Sequence, residues 1–238
     1  MGVRLTFVGH ATWLVEGSKT VLIDPFITSN PQAQAAGFTV EDLLPRVDLV
    51  VITHGHFDHI ENALDFGRAG VPVVGLFEVA QYLSANGATN TVGCNIGGWF
   101  EVEGVGMVFT PAVHSSALIK ENGEPIYLGN PAGVVLELDG VRVYHTGDTG
   151  LFGDMALVGE LYSPDVMLVP IGSLFTMGIP EAVKAVELVR PKVAIPMHYN
   201  TWPPIAQNPE EFKAAVEAAG LPTQVVIVNP GETVEISA

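Results

Sequence analysis

The chain carries a single cysteine, Cys94, among its 238 residues. No internal disulfide can form, so packing has to hold the fold, and a lone thiol suits a reducing compartment. Cationic side chains are also scarce: 10 Lys and Arg stand against 26 Asp and Glu, a formal charge of −16. Such a surface repels nucleic-acid backbones and anionic membranes at long range. Long apolar runs are missing, and no segment reads as a bilayer span. Repeats, low-complexity tracts and charged tails are absent as well, which excludes solenoid and tail-driven architectures. The opening Met1-Gly2-Val3-Arg4-Leu5 enters a strand pattern directly, without the three regions of a signal peptide. These features lead to the expectation of a cytoplasmic protein that acts on a small molecule, with no nucleic-acid or membrane partner.

Hydrophobic residues make up 48% of the chain, enough for a substantial core. One domain over residues 1–238 is expected. Short runs rich in Val and Ile, bounded by Gly, Pro, Asn or Asp, predict strands at 4–8, 13–16, 20–23, 48–53, 71–76, 107–111, 133–138, 141–145, 166–170, 192–196, 224–228 and 233–236. Asp139-Gly140 marks a hairpin turn. Helices are predicted over 180–190, with Pro180 in the first turn, and over 209–219, capped by Asn208 and ended by Gly220. Weaker helical patterns cover 60–68, 78–86 and 153–161. Pattern alone gives a mixed α and β protein with several hairpins.

The most informative stretch is His54-Gly55-His56-Phe57-Asp58-His59, just after the apolar run Leu49-Val50-Val51-Ile52. Three of the chain's seven histidines fall in this hexapeptide. Imidazole nitrogen and carboxylate oxygen are first-choice ligands for zinc and other borderline divalent metals. Without a cation, groups so crowded would repel and desolvate one another.

H-x-H-x-D-H after a buried strand resembles the metal-binding signature of the metallo-β-lactamase superfamily. Asp24 in Val21-Leu22-Ile23-Asp24-Pro25, the lone His114, Asp148 in His145-Thr146-Gly147-Asp148-Thr149 and His198 after Ala194-Ile195-Pro196-Met197 follow in that family's order. Gly9-His10-Ala11-Thr12 and Met197-His198-Tyr199-Asn200-Thr201-Trp202-Pro203-Pro204 narrow the resemblance to uncharacterised metal-dependent hydrolases near the ascorbate-6-phosphate lactonases. It implies an αββα sandwich: two mixed β-sheets flanked by helices, with the halves meeting at a metal cleft. It further implies one metal held by His54, His56 and His114, a second by Asp58, His59 and His198, and Asp148 shared. Two divalent ions are expected, zinc foremost; manganese, iron and nickel suit the same donors.

Two features of the residues agree with that partition. Each of His54, His114, Asp148 and His198 lies just past the C-terminal end of a predicted strand, where a sheet scaffold usually carries its chemistry. Alternation in an extended stretch also sends His54 and His56 the same way. A water between two divalent ions is hydroxide near neutral pH and attacks an ester, lactone, amide or phosphodiester. Asp58 is expected to orient it. The cations would make the cleft locally positive, so a small anionic substrate is compatible with the acidic chain.

The family places Asp24 beside the site, fixing a ligand imidazole through its other nitrogen. His10 reads either as a buried, hydrogen-bonded histidine or as a catalytic acid or substrate contact. His145 reads as a supporting residue, and Asn130 and Asn200 as amides able to bind a substrate oxygen. Trp13, Trp99 and Trp202 read as core or rim packing, and Cys94 as inert packing. A binuclear hydrolase competes with a ribonuclease or phosphodiesterase of the same fold, a di-iron redox protein and a non-catalytic metal protein. Assembly into a homo-oligomer is left open.

Overall fold

The computed structural model describes residues 2–237. The chain builds β1 (Gly2–Gly9), β2 (Thr12–Glu16) and β3 (Thr20–Ile23), then α1 (Pro31–Ala35) and α2 (Val40–Leu43). It continues through β4 (Leu49–Val51), α3 (Phe57–Ile60), α4 (Ala63–Arg68), β5 (Val73–Leu76), α5 (Phe77–Ala85) and β6 (Thr91–Cys94). The second half holds β7 (Phe100–Val102), β8 (Val105–Pro111), β9 (Ala117–Ile119), β10 (Pro125–Tyr127), β11 (Ala132–Leu138) and β12 (Val141–His145). It ends with α6 (Met155–Tyr162), β13 (Val166–Pro170), α7 (Ile179–Val189), β14 (Val193–Met197), α8 (Pro209–Ala218), β15 (Gln224–Val225) and β16 (Thr233–Ser237).

Two seven-stranded sheets result, ordered β16-β1-β2-β3-β4-β5-β6 and β15-β14-β13-β12-β11-β8-β7. Both are mixed: β3, β4 and β5 run parallel, as do β12, β13 and β14, while the hairpins are antiparallel. Alternation gives each sheet two apolar faces. The inner faces meet in one core, where Leu5, Trp13, Ile23 and Val51 share a cluster with Met107, Val134, Val143 and Ile195. The outer face of the first sheet packs on α4 and α5 through Val50, Phe66, Val79 and Leu83. The outer face of the second packs on α6, α7 and α8 through Tyr144, Val158, Val186 and Phe212. The layering is α/β/β/α, as the resemblance implied. Trp13 lies fully buried in the shared core and stacks on Phe7 at 4.5 Å.

Each of the twelve predicted strands coincides with an observed one, and differences gather where pattern is weak. The helix predicted over 60–68 is two helices. Asn62 sits between them with φ −100° and ψ 7°, and its side-chain oxygen accepts the Ile27 and Thr28 N–H groups. That tertiary demand breaks the helix. Strands β6 and β7, the small β9–β10 sheet and the short helices α1 and α2 were not predicted.

Candidate metal centre

The parallel arrangement places the C-terminal ends of β4, β12 and β14 along one rim. β8 is antiparallel to β11, and β11 to β12, so β8 ends on that rim too. His54, His114, Asp148 and His198 each follow one of these ends within three residues. His56 precedes α3, and Asp58 and His59 lie in it. The seven predicted ligands therefore come together, although they span residues 54 to 198.

Two groups form. His54 Nε2 and His114 Nε2 lie 3.0 and 3.2 Å from His56 Nδ1. A tetrahedral ion with bonds of about 2.0–2.1 Å has ligand edges of roughly 3.3 Å, so this spacing suits a shared cation. Asp58, His59 and His198 form the second group, which His10 also joins. Asp148 stands between the two. Its Oδ2 lies 3.3 Å from His59 Nε2, 3.6 Å from His114 Nε2 and 2.9 Å from His198 Nε2.

The surrounding hydrogen bonds decide which nitrogen each ring presents. Thr53 donates its hydroxyl hydrogen to Asp24 Oδ2 at 2.6 Å, so its oxygen accepts from His54 Nδ1 at 3.0 Å. His54 is left with a bare Nε2 facing the centre. His59 Nδ1 donates to the same Asp24 oxygen at 2.7 Å, leaving its Nε2 bare. Asp24 thus orients one imidazole of each group, the first through Thr53 and the second directly. Carboxylate support of this kind fixes tautomer and ring direction in metal sites. His59 Nε2 and Asp148 Oδ1 are buried with no hydrogen-bond partner; His198 Nδ1 is unpartnered too, but on the far side of its ring, toward Gly172. Orphaned polar atoms cost free energy unless something fills the gap, and a cation pair is what this donor set would accept.

Electrostatics agree. Burial, then His59, pushes His54 well below the usual imidazole range, and burial with His114 lowers His56. Burial also lowers His114. These shifts favour the neutral ring at all three, whereas on His59 burial is outweighed by Asp148, Asp24 and Asp58, which raise it well above the usual imidazole range, so a cation there would displace a proton. Burial opposes charge on Asp148, but His198 and His59 outweigh it and hold the carboxyl well below its usual range. The backbone is strained at the same place. His10, Asp24 and His198 all have left-handed backbone, with φ of 60°, 49° and 54°. Non-glycine residues persist there only when the surroundings over-determine them, which is common at functional sites.

Residues 19–199 match the sequence profile of the Beta-lactamase superfamily domain. The chain belongs to the metallo-β-lactamase superfamily. It is 48% identical over 235 residues to a UPF0173 metal-dependent hydrolase of Methanosarcina mazei, an alignment covering 98% of this chain and 99% of that one. A Methanopyrus kandleri relative of the same name is 50% identical over 98% of this chain and its own full length. Igni18, a metallo hydrolase from Ignicoccus hospitalis, is similar in structure with a TM-score of 0.88 and 43% identity, each chain fully covered. The chain is accordingly a metal-dependent hydrolase of this superfamily.

Within that superfamily scaffold the remaining predicted residues divide. His10 is fully buried. Its Nε2 lies 3.0 Å from Asp58 Oδ2 and its Nδ1 2.7 Å from Thr201 Oγ1. Burial and the neighbouring His198 push its pKa down to about 4, so the neutral ring donates through Nε2 to Asp58. His10 therefore lies behind Asp58, away from the cleft lining. His145 accepts the Gly147 N–H at Nδ1 (3.1 Å) and bonds the Ala11 carbonyl at 2.8 Å. It braces the loop that delivers Asp148 without touching a ligand ring. Neither asparagine lines the cleft. Asn200 accepts the Gln207 N–H in a turn (2.8 Å), and Asn130, exposed, accepts from the Tyr127 hydroxyl at 3.4 Å. The side-chain oxygens of both serve local structure rather than the cleft.

Sequence reasoning missed Thr53 and Ser115, whose Oγ lies 3.1 Å from His56 Nε2. Thr53 had only a partial signal: the predicted strands 20–23 and 48–53 end next to Asp24 and at Thr53, and the parallel pairing of Ile23 with Val51, which the fold alone shows, sets the two side by side. Ser115 had only its adjacency to His114. The cleft walls formed by Phe57, Ile119 and Phe175 were missed as well, and Trp202, expected as core or rim packing, lines the same cleft.

Proposed function

We propose that this hydrolase is binuclear, with His54, His56 and His114 holding one divalent cation, Asp58, His59 and His198 the other, and Asp148 bridging. The observation that carries this reading is Asp148 Oδ2 within 3.6 Å of imidazole nitrogens from both groups. Zinc is the proposed metal, since an imidazole-rich donor set suits it. When bound, the pair supplies Lewis acidity and lowers the pKa of a shared water toward neutrality.

The chain's own groups do the rest. Asp58 lines the open cleft, and His10 fixes one of its oxygens, so the carboxylate that would hold the second cation has a set direction from which to orient a water. The Thr201–His10–Asp58 chain holds that geometry from behind. Asp24 holds two ligand rings in the coordinating tautomer. The electrophile enters over His56, Asp148 and His198, which face the cleft. Hydrolysis of an ester, lactone or phosphodiester in a small molecule is the reaction class that follows. An anionic substrate would find positive charge only at the cations, because no Lys or Arg lines the cleft. The same lining disfavours a nuclease, which needs a cationic track for the backbone. We propose that the whole of 1–238 acts as one catalytic unit in the cytoplasm, in line with its single thiol.

The test is turnover by zinc- or manganese-loaded protein of chromogenic esters, lactones and phosphodiesters, together with Asp58→Ala. Loss of 100-fold or more in kcat with the fold intact supports the reading. A metal-loaded protein inert toward all three classes contradicts it.

A further inference from the structure

The cleft above the ligands has a volume of about 530 Å³. Its floor is polar, but its walls are apolar: Phe57, Ile119, Phe175 and Trp202 come from four separate segments. Three of these large side chains are strikingly unprotected for their type, Phe57 at 52%, Ile119 at 61% and Phe175 at 56% exposure. Apolar groups gathered round a cleft mark a binding surface rather than chance exposure.

The walls are built rather than floppy. Phe57 and Trp202 both pack on Phe26, with ring centroids 5.6 and 5.9 Å away, and Phe26 is itself fully buried. Phe175 is carried by a turn in which Ser173 and Leu174 have successive φ values of 59° and 55°. Hydrogen bonds from the Ser173 N–H to the Met177 carbonyl and from the Met177 N–H to the Thr149 carbonyl clamp that turn at 3.0 Å each. A β-carbon-bearing residue resists this conformation, so the clamp holds Phe175 outward against a local cost.

Polar recognition is correspondingly thin. Ser115 is the sole wall hydroxyl, and it is already engaged with His56. Lys120 follows Ile119 on the β9–β10 hairpin, but its Nζ pairs with Glu124 at 3.1 Å. A sugar phosphate would bring a dianion and several hydroxyls to walls that can bind none of them, and their desolvation would go unrepaid.

We propose that the cleft takes neutral esters or lactones bearing an aryl or branched-alkyl group, which sits against Phe57, Ile119, Phe175 and Trp202, and that it discriminates against phosphorylated sugars. The substrate class rests on the hydrolase reading above; the apolar subsite itself does not. In the reaction, water oxygen bonds the acyl carbon, the acyl C–O bond breaks, and the leaving alkoxide takes a proton, giving acid and alcohol with no redox change.

Two measurements on the zinc-loaded full chain test this. The first is binding of 4-phenylbutan-2-one, a neutral ketone that cannot be hydrolysed, against glucose 6-phosphate, by NMR titration. The ketone is expected to bind at least tenfold more tightly, and Phe175→Ser or Ile119→Ser to weaken it fivefold or more. Equal or tighter binding of the sugar phosphate, or indifference to both variants, overturns the proposal. The second is kcat/KM for methyl acetate and methyl 4-phenylbutanoate, followed by acid release. A tenfold preference for the phenylbutanoate that shrinks in Phe175→Ser is expected; no preference overturns the substrate class while leaving hydrolysis standing. Ketone binding without turnover of any ester, lactone or phosphodiester would instead remove the proposed reaction and keep the subsite. A dimer that dissociates on Phe175→Ser, with no ketone bound, would assign the walls to a second copy and overturn the proposal.

Discussion

Asp24 bears on both groups of the centre without belonging to the candidate ligand set. One of its oxygens accepts from both Thr53 and His59, and the other accepts the Thr53 N–H at 2.7 Å. Asp24→Asn replaces an acceptor with a donor and sets the amide against the His59 Nδ1–H or the Thr53 hydroxyl. A loss of about 10- to 100-fold in metal affinity is expected, the scale seen when such supporting groups are removed. Competition with a chelator of known affinity checks it; unchanged affinity would mean that Asp24 serves only the turn before Pro25. Cys94 makes a contrasting case. Burial pushes its thiol up to about 12, and the Sγ–H points at the Gly75 carbonyl at 3.4 Å. A raised pKa means less thiolate at any pH below it. Alkylation by iodoacetamide at pH 8 should therefore run roughly a thousandfold slower than for a free thiol, and should accelerate as pH rises. Rapid labelling of folded protein would show the site to be open.

Among the elements, α6 and α7 approach one another closely at Gly159. A β-carbon on Gly159 would collide with the Val189 carbonyl oxygen, which is backbone and cannot rotate away. Gly159→Ala should destabilise the fold by about 1–3 kcal/mol, read as a lower denaturant midpoint with unchanged slope. Activity per folded molecule should hold, because this contact lies on the outer layer. The elements that sequence made legible are those whose stability is local or repetitive. Val166-Met167-Leu168-Val169 and Leu49-Val50-Val51 are buried on both faces and read as continuous apolar runs. Asn208 accepts from the Glu210 N–H as the capping pattern anticipated. The illegible ones depend on distant partners. β6 carries Gly93 and Cys94 and is ordered by pairing with β5. β9 and β10 pair only with each other, and α1 and α2 have five and four residues, too few for a periodicity to register. At the site, the residues that gather were legible because imidazole and carboxylate crowding has few other uses. The cleft walls were not, since Phe57, Ile119 and Phe175 look in sequence like any other apolar residue.

Over the whole molecule, the two sheets contribute different halves of one centre. The first brings His54, His56, Asp58 and His59, and the second brings His114, Asp148 and His198. Cations held between them would tie the halves together. Ligand that binds only the folded state stabilises it, by about 2.7 kcal/mol per site at one hundred times the dissociation constant. Chelation should therefore lower Tm, and restored zinc should raise it again. A Tm indifferent to chelator would show that the sheets need no such tie. The most direct measurement is metal content per chain by inductively coupled plasma mass spectrometry after zinc loading and desalting, for the parent protein and His198→Ala. The account predicts two ions per chain, falling to one in the variant. One ion or none in the parent protein would contradict it.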